Sequence, residues 1–289
     1  MNLDFYLFDV SQGQCAATRL PNGSWCLFDA GQTPEFSPVH WIISQQNPPH
    51  QSVFKATISH FHGDHMTDHI RLLNVTPSYF CVVRHDDLYL RDVAASSSKE
   101  SFDSMMGFIH RYGMTYRQVS SPDYGNACVF EISLPVGVAR AIGGQPSSRV
   151  NNASIVTRID CDGNSVLICG DMEKEGWEYA LNKANEAAAW RQTVSNIDIL
   201  VAPHHGHKSG FSEALMSYAK PAVVLVSVAS KDPSVDTRYS SREFVRGLRL
   251  NETTHYMIST RRRSEGWIQV SIAPPGNGSV KGYQTWYNV

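Results

Sequence analysis

The sequence has no C-x-x-C pair, although it holds six cysteines: Cys15, Cys26, Cys81, Cys128, Cys161 and Cys169. The paired-cysteine motifs of redox centres and thiolate zinc sites are therefore excluded. Most of the six stand in apolar, strand-like surroundings, where a free thiol behaves as a small hydrophobe. Long apolar runs are missing too. The longest, such as Pro221 to Ala229, are strand-sized, against the roughly 20 residues that a membrane span needs. Charge of one sign is missing: 25 basic and 27 acidic residues leave a net of −2. That rules out a uniformly basic nucleic-acid coat while leaving room for a local basic patch. No internal repeat is found, and Ser96-Ser97-Ser98 is the only polar tract. Met1-Asn2-Leu3-Asp4-Phe5-Tyr6 lacks a basic n-region and a small-residue cleavage site, so no secretory signal is expected. With reduced cysteines, the expectation is a cytoplasmic protein without a membrane segment.

What is present is an ordinary globular composition, 42% apolar and 18% charged over 289 residues. It is enough for a substantial core in one large domain or two small ones. Strands are expected at Phe5–Val10, Cys15–Leu20, Trp25–Asp29, Phe54–Ser59, Tyr79–Val83, Val129–Ile132, Ser154–Ile159, Ser165–Cys169, Ile197–Ala202, Ala222–Ser227 and Trp267–Ile272. Pro21-Asn22-Gly23 and Asp162-Gly163-Asn164 read as hairpin turns. Helices are expected at Pro38–Gln46, Thr67–Leu73, Phe102–Tyr112, Glu173–Trp190, Phe211–Ala219 and Arg242–Leu250. Residues 84–120 read as an insertion over one end of the fold. Strands and helices alternate throughout, with strand pairs at the start of each half. The expected architecture is two sheets sandwiched between helices, an α/β chain forming one domain over 1–289.

Histidine carries the chemical signal. Seven of the twelve lie in two short windows, Ser59-His60-Phe61-His62-Gly63-Asp64-His65-Met66-Thr67-Asp68-His69 and Pro203-His204-His205-Gly206-His207. In an extended segment His60 and His62 point to one side and can converge on one ion. The chain then turns at Gly63, and Asp64 with His65 faces the same space from another direction. Imidazoles with one carboxylate suit Zn²⁺ and also accept Mn²⁺ or Fe. Two further apolar strands end in ligand types: Val166-Leu167-Ile168-Cys169-Gly170-Asp171 and Ile199-Leu200-Val201-Ala202-Pro203-His204-His205-Gly206. A carboxylate such as Asp171 can bridge two cations.

On these residues the sequence resembles the metallo-β-lactamase-fold hydrolases over nearly its whole length. More narrowly it is similar to the soluble β-lactamase-like domain of ComEC-type competence proteins, here as a stand-alone version. The matching segments are Asp9-Val10-Ser11-Gln12-Gly13-Gln14, Asp29-Ala30-Gly31, His60 to His65, Asn151 to Val156, Cys169-Gly170-Asp171 and His204 to Gly210. Ile258-Ser259-Thr260 through Gly266-Trp267-Ile268 resembles a C-terminal segment of that branch. The resemblance implies a four-layer αββα sandwich and a zinc centre of one or two ions. His60 and His62 would hold the first ion. Asp64, His65 and one of His204 and His205 would hold the second, with Asp171 bridging. Asp64 and Asp171 would be the catalytic carboxylates, Asp64 also moving a proton. Asn151, His207 and Lys208 are candidates for substrate contact. The broader family often has a third histidine about twenty residues before the Gly-Asp carboxylate. Here none lies between His110 and His204, and the matching region holds Asn151 and Asn152; this leaves the first site open, weakly filled, or completed by an amide, a water, or His85 or His110 reaching in.

Metal coordination lowers the pKa of water toward neutrality and yields a hydroxide nucleophile at cellular pH. Two ions suit phosphodiester hydrolysis, where charge on the phosphoryl oxygens must be neutralised. Residues 238–263 add seven arginines (Arg238, Arg242, Arg246, Arg249, Arg261, Arg262, Arg263) against Glu243 and Glu252. Arg242, Arg246 and Arg249 are spaced for one helical face. The expectation is a phosphodiesterase or nuclease whose substrate meets this basic segment. Two alternatives stay open: a metallohydrolase of a lactone, thioester or β-lactam, and a non-catalytic binding module, with or without a partner protein.

Overall fold

The computed structural model describes residues 3–45, 53–75, 77–112, 124–228, 233–250, 252–260, 266–272 and 283–287. Period-two alternation builds the first sheet. In β1 (Leu3–Phe8), Leu3, Phe5 and Leu7 enter one apolar cluster while Tyr6 and Phe8 enter another on the opposite face. The same division holds in β3 (Trp25–Phe28), where Trp25 and Leu27 part from Cys26 and Phe28. With β2 (Ala16–Arg19), β4 (Lys55–Ile58), β5 (Tyr79–Val82), β14 (Trp267–Ile272) and β15 (Tyr283–Tyr287) they form a seven-stranded sheet, ordered β15-β14-β1-β2-β3-β4-β5. The pairs β3/β4 and β4/β5 are parallel and the others antiparallel.

The second sheet has six strands in the order β13-β10-β9-β8-β7-β6. They are β6 (Ala127–Ile132), β7 (Val156–Cys161), β8 (Asn164–Ile168), β9 (Ile199–Val201), β10 (Val223–Val226) and β13 (Met257–Ser259). Strands β8, β9, β10 and β13 run parallel. Their near-continuous apolar sequences fit strands buried on both faces. Val166, Ile168, Ile199, Val201, Val223 and Leu225 face the first sheet, while Leu167, Leu200 and Val224 face away from it.

Helices cover both outer faces. Over the first sheet lie α1 (Pro38–Ser44), α2 (His69–Val75), α3 (Asp87–Ser96) and α4 (Lys99–Tyr112), with α5 (Val136–Ile142) and α6 (Pro146–Asn151) adding Ala139 and Val150. Over the second lie α7 (Lys174–Asn182), α8 (Ala187–Val194) and α9 (Glu213–Ala219). Three apolar clusters therefore fill three interlayer spaces, and the architecture is the four-layer αββα sandwich expected from the sequence. No described helix is long and apolar enough to cross a membrane.

Two expected helices are corrected. Glu173–Trp190 is not continuous: the chain turns between α7 and α8, and Trp177 and Trp190 meet edge to face at 6.2 Å. A single helix would hold rings thirteen residues apart at about 20 Å, so the turn is what lets both indoles enter one cluster. Arg242–Leu250 is not helical. After Phe244 and Val245 pack against the second sheet, Gly247 at φ 91° turns the chain into β11 (Leu248–Leu250), paired with β12 (Thr253–His255). Within 84–120 the structure places α3 and α4, and 113–120 lie outside the described residues.

Candidate metal centre

Three strand ends deliver the candidate ligands, and all belong to parallel strands, whose carboxyl ends form the crevice of open α/β sheets. Ser59 to His62 leave β4 and enter a 3₁₀ turn at Gly63–His65. Phe61 is fully buried and gives its N–H to the Tyr89 hydroxyl at 3.4 Å, so its neighbours His60 and His62 turn to the other side. Beneath the turn, Gln14 N–H donates to the Asp64 carbonyl and Ala30 N–H to the His65 carbonyl. Gly13 lies so close that a Cβ there would stand 2.6 Å from the Asp64 carbonyl oxygen. After β8, Gly170 (φ 54°) turns Asp171 inward; a Cβ there would meet Ser154 and Ser59 at 2.9 Å. After β9, His204 and His205 take left-handed φ values of 50° and 53° in succession.

These turns converge. Asp64, His65, Asp171 and His205 bring one ligand atom each within 4.8 Å of one another. His65 Nε2 is 3.2 Å from Asp171 Oδ1 and 3.3 Å from His205 Nε2. His205 Nε2 is 3.3 Å from Asp64 Oδ2 and 3.5 Å from Asp171 Oδ2. His60 and His62 form a second group, with Nε2 and Nδ1 3.1 Å apart and His60 Nε2 3.9 Å from Asp171 Oδ2. His204 Nε2 stands 3.8 Å from the same oxygen.

Hydrogen-bond logic assigns the tautomers. Asp29, 1% exposed, takes His65 Nδ1–H on Oδ2 at 2.9 Å. The same carboxylate accepts Ser59 N–H, Ser59 Oγ–H and Gln14 Nε2–H. Because Ser59 Oγ donates to Asp29, it accepts His60 Nδ1–H at 3.0 Å. Ser96 Oγ donates to the Asp92 carbonyl and so accepts His62 Nε2–H at 3.1 Å. These three imidazoles are thus held from behind, with a bare nitrogen lone pair in front, whereas His205 Nδ1 is buried without a hydrogen-bond partner. Those lone pairs face each other and two carboxylates, and Asp171 Oδ1 is buried without a hydrogen bond. Atoms around one divalent ion at Zn–N distances stand roughly 3–4 Å apart. The donor set therefore fits a metal ion.

Carboxylates and imidazoles in the cluster shift one another's protonation. Burial opposes a charge on His65, but Asp171, Asp29 and Asp64 outweigh it and hold its pKa well above the histidine range. His205, likewise opposed by burial and favoured by Asp171, is pushed up to about 9. Burial raises the Asp171 and Asp64 carboxyls, yet His65 and His205 bring both well below the carboxylate range. His60 and His62, with burial dominant, are held low and neutral.

The other sequence candidates are placed as follows. Asn151 is buried and donates Nδ2–H to Glu173 Oε1 at 2.9 Å. His207 Nδ1 and Ser209 Oγ are 2.8 Å apart, and Lys208 is exposed. His85 meets the Val83 carbonyl and the Phe61 ring, while His110 is exposed on α4. The arginine segment makes no helical face, a correction that follows from β11. Arg238 lies over Phe211 at 3.9 Å and binds Asp236, Arg242 lies over Tyr256, and Arg246 binds Asp198 and two carbonyls. Arg261 to Arg263 lie outside the described residues. Sequence reasoning missed the anchors Asp29, Ser59 and Ser96. Only Asp29 had a local signal, the Asp-Ala-Gly break after a strand.

No family model matches the chain. Over 93 residues, 32% of this chain, it is 33% identical to Recombination protein 2 of Haemophilus influenzae, and that stretch is 10% of the relative's length. Solved structures with similarity include the metallo-β-lactamase fold protein YhfI of Bacillus subtilis (12% identity, 70% of this chain and 71% of that one, TM-score 0.37). They also include the short form of human tRNase Z (12%, 77% and 92%, TM-score 0.42) and yeast PDE1 (11%, 89% and 97%, TM-score 0.42).

Proposed function

We propose that the chain is a metal-dependent hydrolase of the metallo-β-lactamase type, acting on a phosphodiester. One observation carries this reading: imidazoles of His60, His62, His65 and His205 and the Asp64 carboxylate gather around Asp171, with His60, His62 and His65 each fixed from behind by a hydrogen-bond acceptor. Divalent ions held there supply an acidified water and Lewis-acid neutralisation of developing charge. Asp171, central and ionised, bridges the two groups. Asp29 keeps His65 aimed forward, and Ser59 and Ser96 do the same for His60 and His62. Asp64, with its side chain 40% exposed and held ionised beside His205, would hold one ion and stand next to the water that ion acidifies.

A centre with two ligand groups sharing one carboxylate suits a phosphodiester, whose attacking and leaving oxygens both need neutralising. The stretch of likeness to a recombination protein brings nucleic acid forward among phosphodiesters. The test is turnover of bis-(p-nitrophenyl) phosphate by the purified chain with Zn²⁺ or Mn²⁺, beside p-nitrophenyl acetate and a lactone. Metal-dependent phosphodiester turnover lost in Asp64→Ala supports the reading. Turnover of the carbonyl substrates alone moves the assignment to that class, and a chain that binds no metal overturns it.

A further inference from the structure

We infer that His204 and His205, adjacent in the chain, ligate two different metal ions: His205 joins Asp64 and His65, and His204 completes the group of His60 and His62. The inference rests on the metal-centre reading above and deepens it.

The argument starts from Ser209. Its backbone N–H donates to His207 Nδ1 at 3.2 Å, so that nitrogen is an acceptor. Ser209 Oγ, 2.8 Å from the same nitrogen, then gives it its proton. Having donated, Oγ accepts from its other neighbour, His204 Nδ1, at 2.9 Å. Glu173 Oε1, 3.7 Å from His204 Nδ1, favours a proton on that nitrogen as well. His204 Nε2 is therefore a bare lone pair, and it faces Asp171 Oδ2 at 3.8 Å. His60 Nε2, whose proton is likewise fixed on Nδ1, faces the same oxygen at 3.9 Å. Two lone pairs thus approach one carboxylate oxygen from different sides, an arrangement that a cation among them would satisfy.

The backbone explains how neighbours serve different groups. Successive left-handed residues separate the two imidazoles, whose ring centres lie 6.2 Å apart with planes at 65°. His205 Nε2 approaches His65 and Asp64, whereas His204 is tied back to Ser209 on the side of Glu173. The first group then counts His60, His62, His204 and Asp171, four donors of zinc-ligand type. It needs no histidine from the segment between His110 and His204. Ser209 is a positioning residue for that group.

The test counts ions rather than turnover. The full chain, stripped with chelator and reloaded with Zn²⁺, is measured by plasma mass spectrometry, and titrated separately with Co²⁺ by ligand-field absorption. The expected result is two ions in the parent chain, one in His204→Ala and one in His205→Ala. His60→Ala combined with His204→Ala still retains one ion, whereas His204→Ala combined with His205→Ala retains none tightly. Ser209→Ala is expected to weaken only the first ion, about 10–100-fold. Two ions retained in His204→Ala overturn the inference, as does loss of the His205 ion on removing His204. One ion in the parent chain overturns it while the metal-centre reading stands; no ion overturns both. Unchanged circular dichroism of metal-free His204→Asn, measured alongside, separates ligand loss from misfolding.

Discussion

Replacing Asp29 by Asn tests the tautomer argument, because it keeps the shape and exchanges one of the two acceptor oxygens for a donor. Asp29 sits beneath the centre, buried, and touches no ligand position in front. Its Oδ1 takes Ser59 N–H at 2.7 Å, and its Oδ2 takes Ser59 Oγ–H, Gln14 Nε2–H and His65 Nδ1–H, each at 2.9 Å. An Asn amide has one acceptor and one donor end. With its NH₂ at the Oδ2 position it points donors at three donors. Flipped, it points them at the Ser59 N–H. The first arrangement drives His65 to exchange tautomers, so that Nδ1 accepts and Nε2–H points at Asp171. The lone pair is then gone from the front of the ring. Each hydrogen bond to a buried carboxylate contributes about 1.5–3 kcal/mol, and the loss of an outer partner to a ligating imidazole typically costs 10–100-fold in metal affinity. The expected result is Zn²⁺ binding weakened about 10–100-fold in a chelator competition, and stability lowered by about 2–4 kcal/mol. An Asp29→Asn chain that binds Zn²⁺ within twofold of the parent refutes the assignment of His65.

The metal-free protein is expected to lose stability as pH rises. His65 and His205 have folded pKa values above the unfolded histidine value of about 6.5, the latter at about 9. Their contribution is complete below the unfolded value and disappears as pH rises through the folded one. Melting temperature without metal is thus expected to fall between about pH 6.5 and 9.5 and to stay nearly level when Zn²⁺ is bound; a level metal-free profile contradicts the proton balance. Ser96→Ala removes the acceptor behind His62 and is expected to weaken the ion held by His60 and His62 about tenfold, leaving the other ion alone, as read by two-phase Co²⁺ titration. Gly13→Ala forces a methyl against the Asp64 carbonyl and is expected to lower stability by about 1–3 kcal/mol in urea unfolding. Trp190→Ala, which empties half of the indole pair under the second sheet, is expected to cost about 3–5 kcal/mol in the same assay.

The ligands were legible because they are local. The four candidates His60, His62, Asp64 and His65 fall within six residues after an apolar strand, and Asp171 and His205 each follow one. Strand ends in a parallel arrangement meet, so spacing along the chain carried information about space. What stands behind the ligands was not legible. Ser96 comes from α3, a helix that the polar Asp87–Ser96 stretch did not announce, and Ser59 is one serine among many. Their roles depend on which atom each hydroxyl has already donated to, a three-dimensional fact. The arginine segment failed for a different reason. The i, i+4, i+7 spacing of Arg242, Arg246 and Arg249 is a true helical period, but Val245 and Leu248 are buried and Phe244 packs half-buried beside them. Burying these residues and pairing β11 with β12 outweighed the weak preference that charge spacing gives.

The two successive left-handed residues at the end of β9 have a consequence for selection on this chain. A side chain in that conformation costs about 1 kcal/mol or more over glycine, so at positions 204 and 205 glycine or asparagine would suit the backbone better. A lineage relieved of the chemistry would gain stability by drifting to those residues, one position at a time. Holding histidine at both leaves the chain in standing conflict with its own fold there, and positions 204 and 205 set backbone stability against the ligand-type side chains they carry.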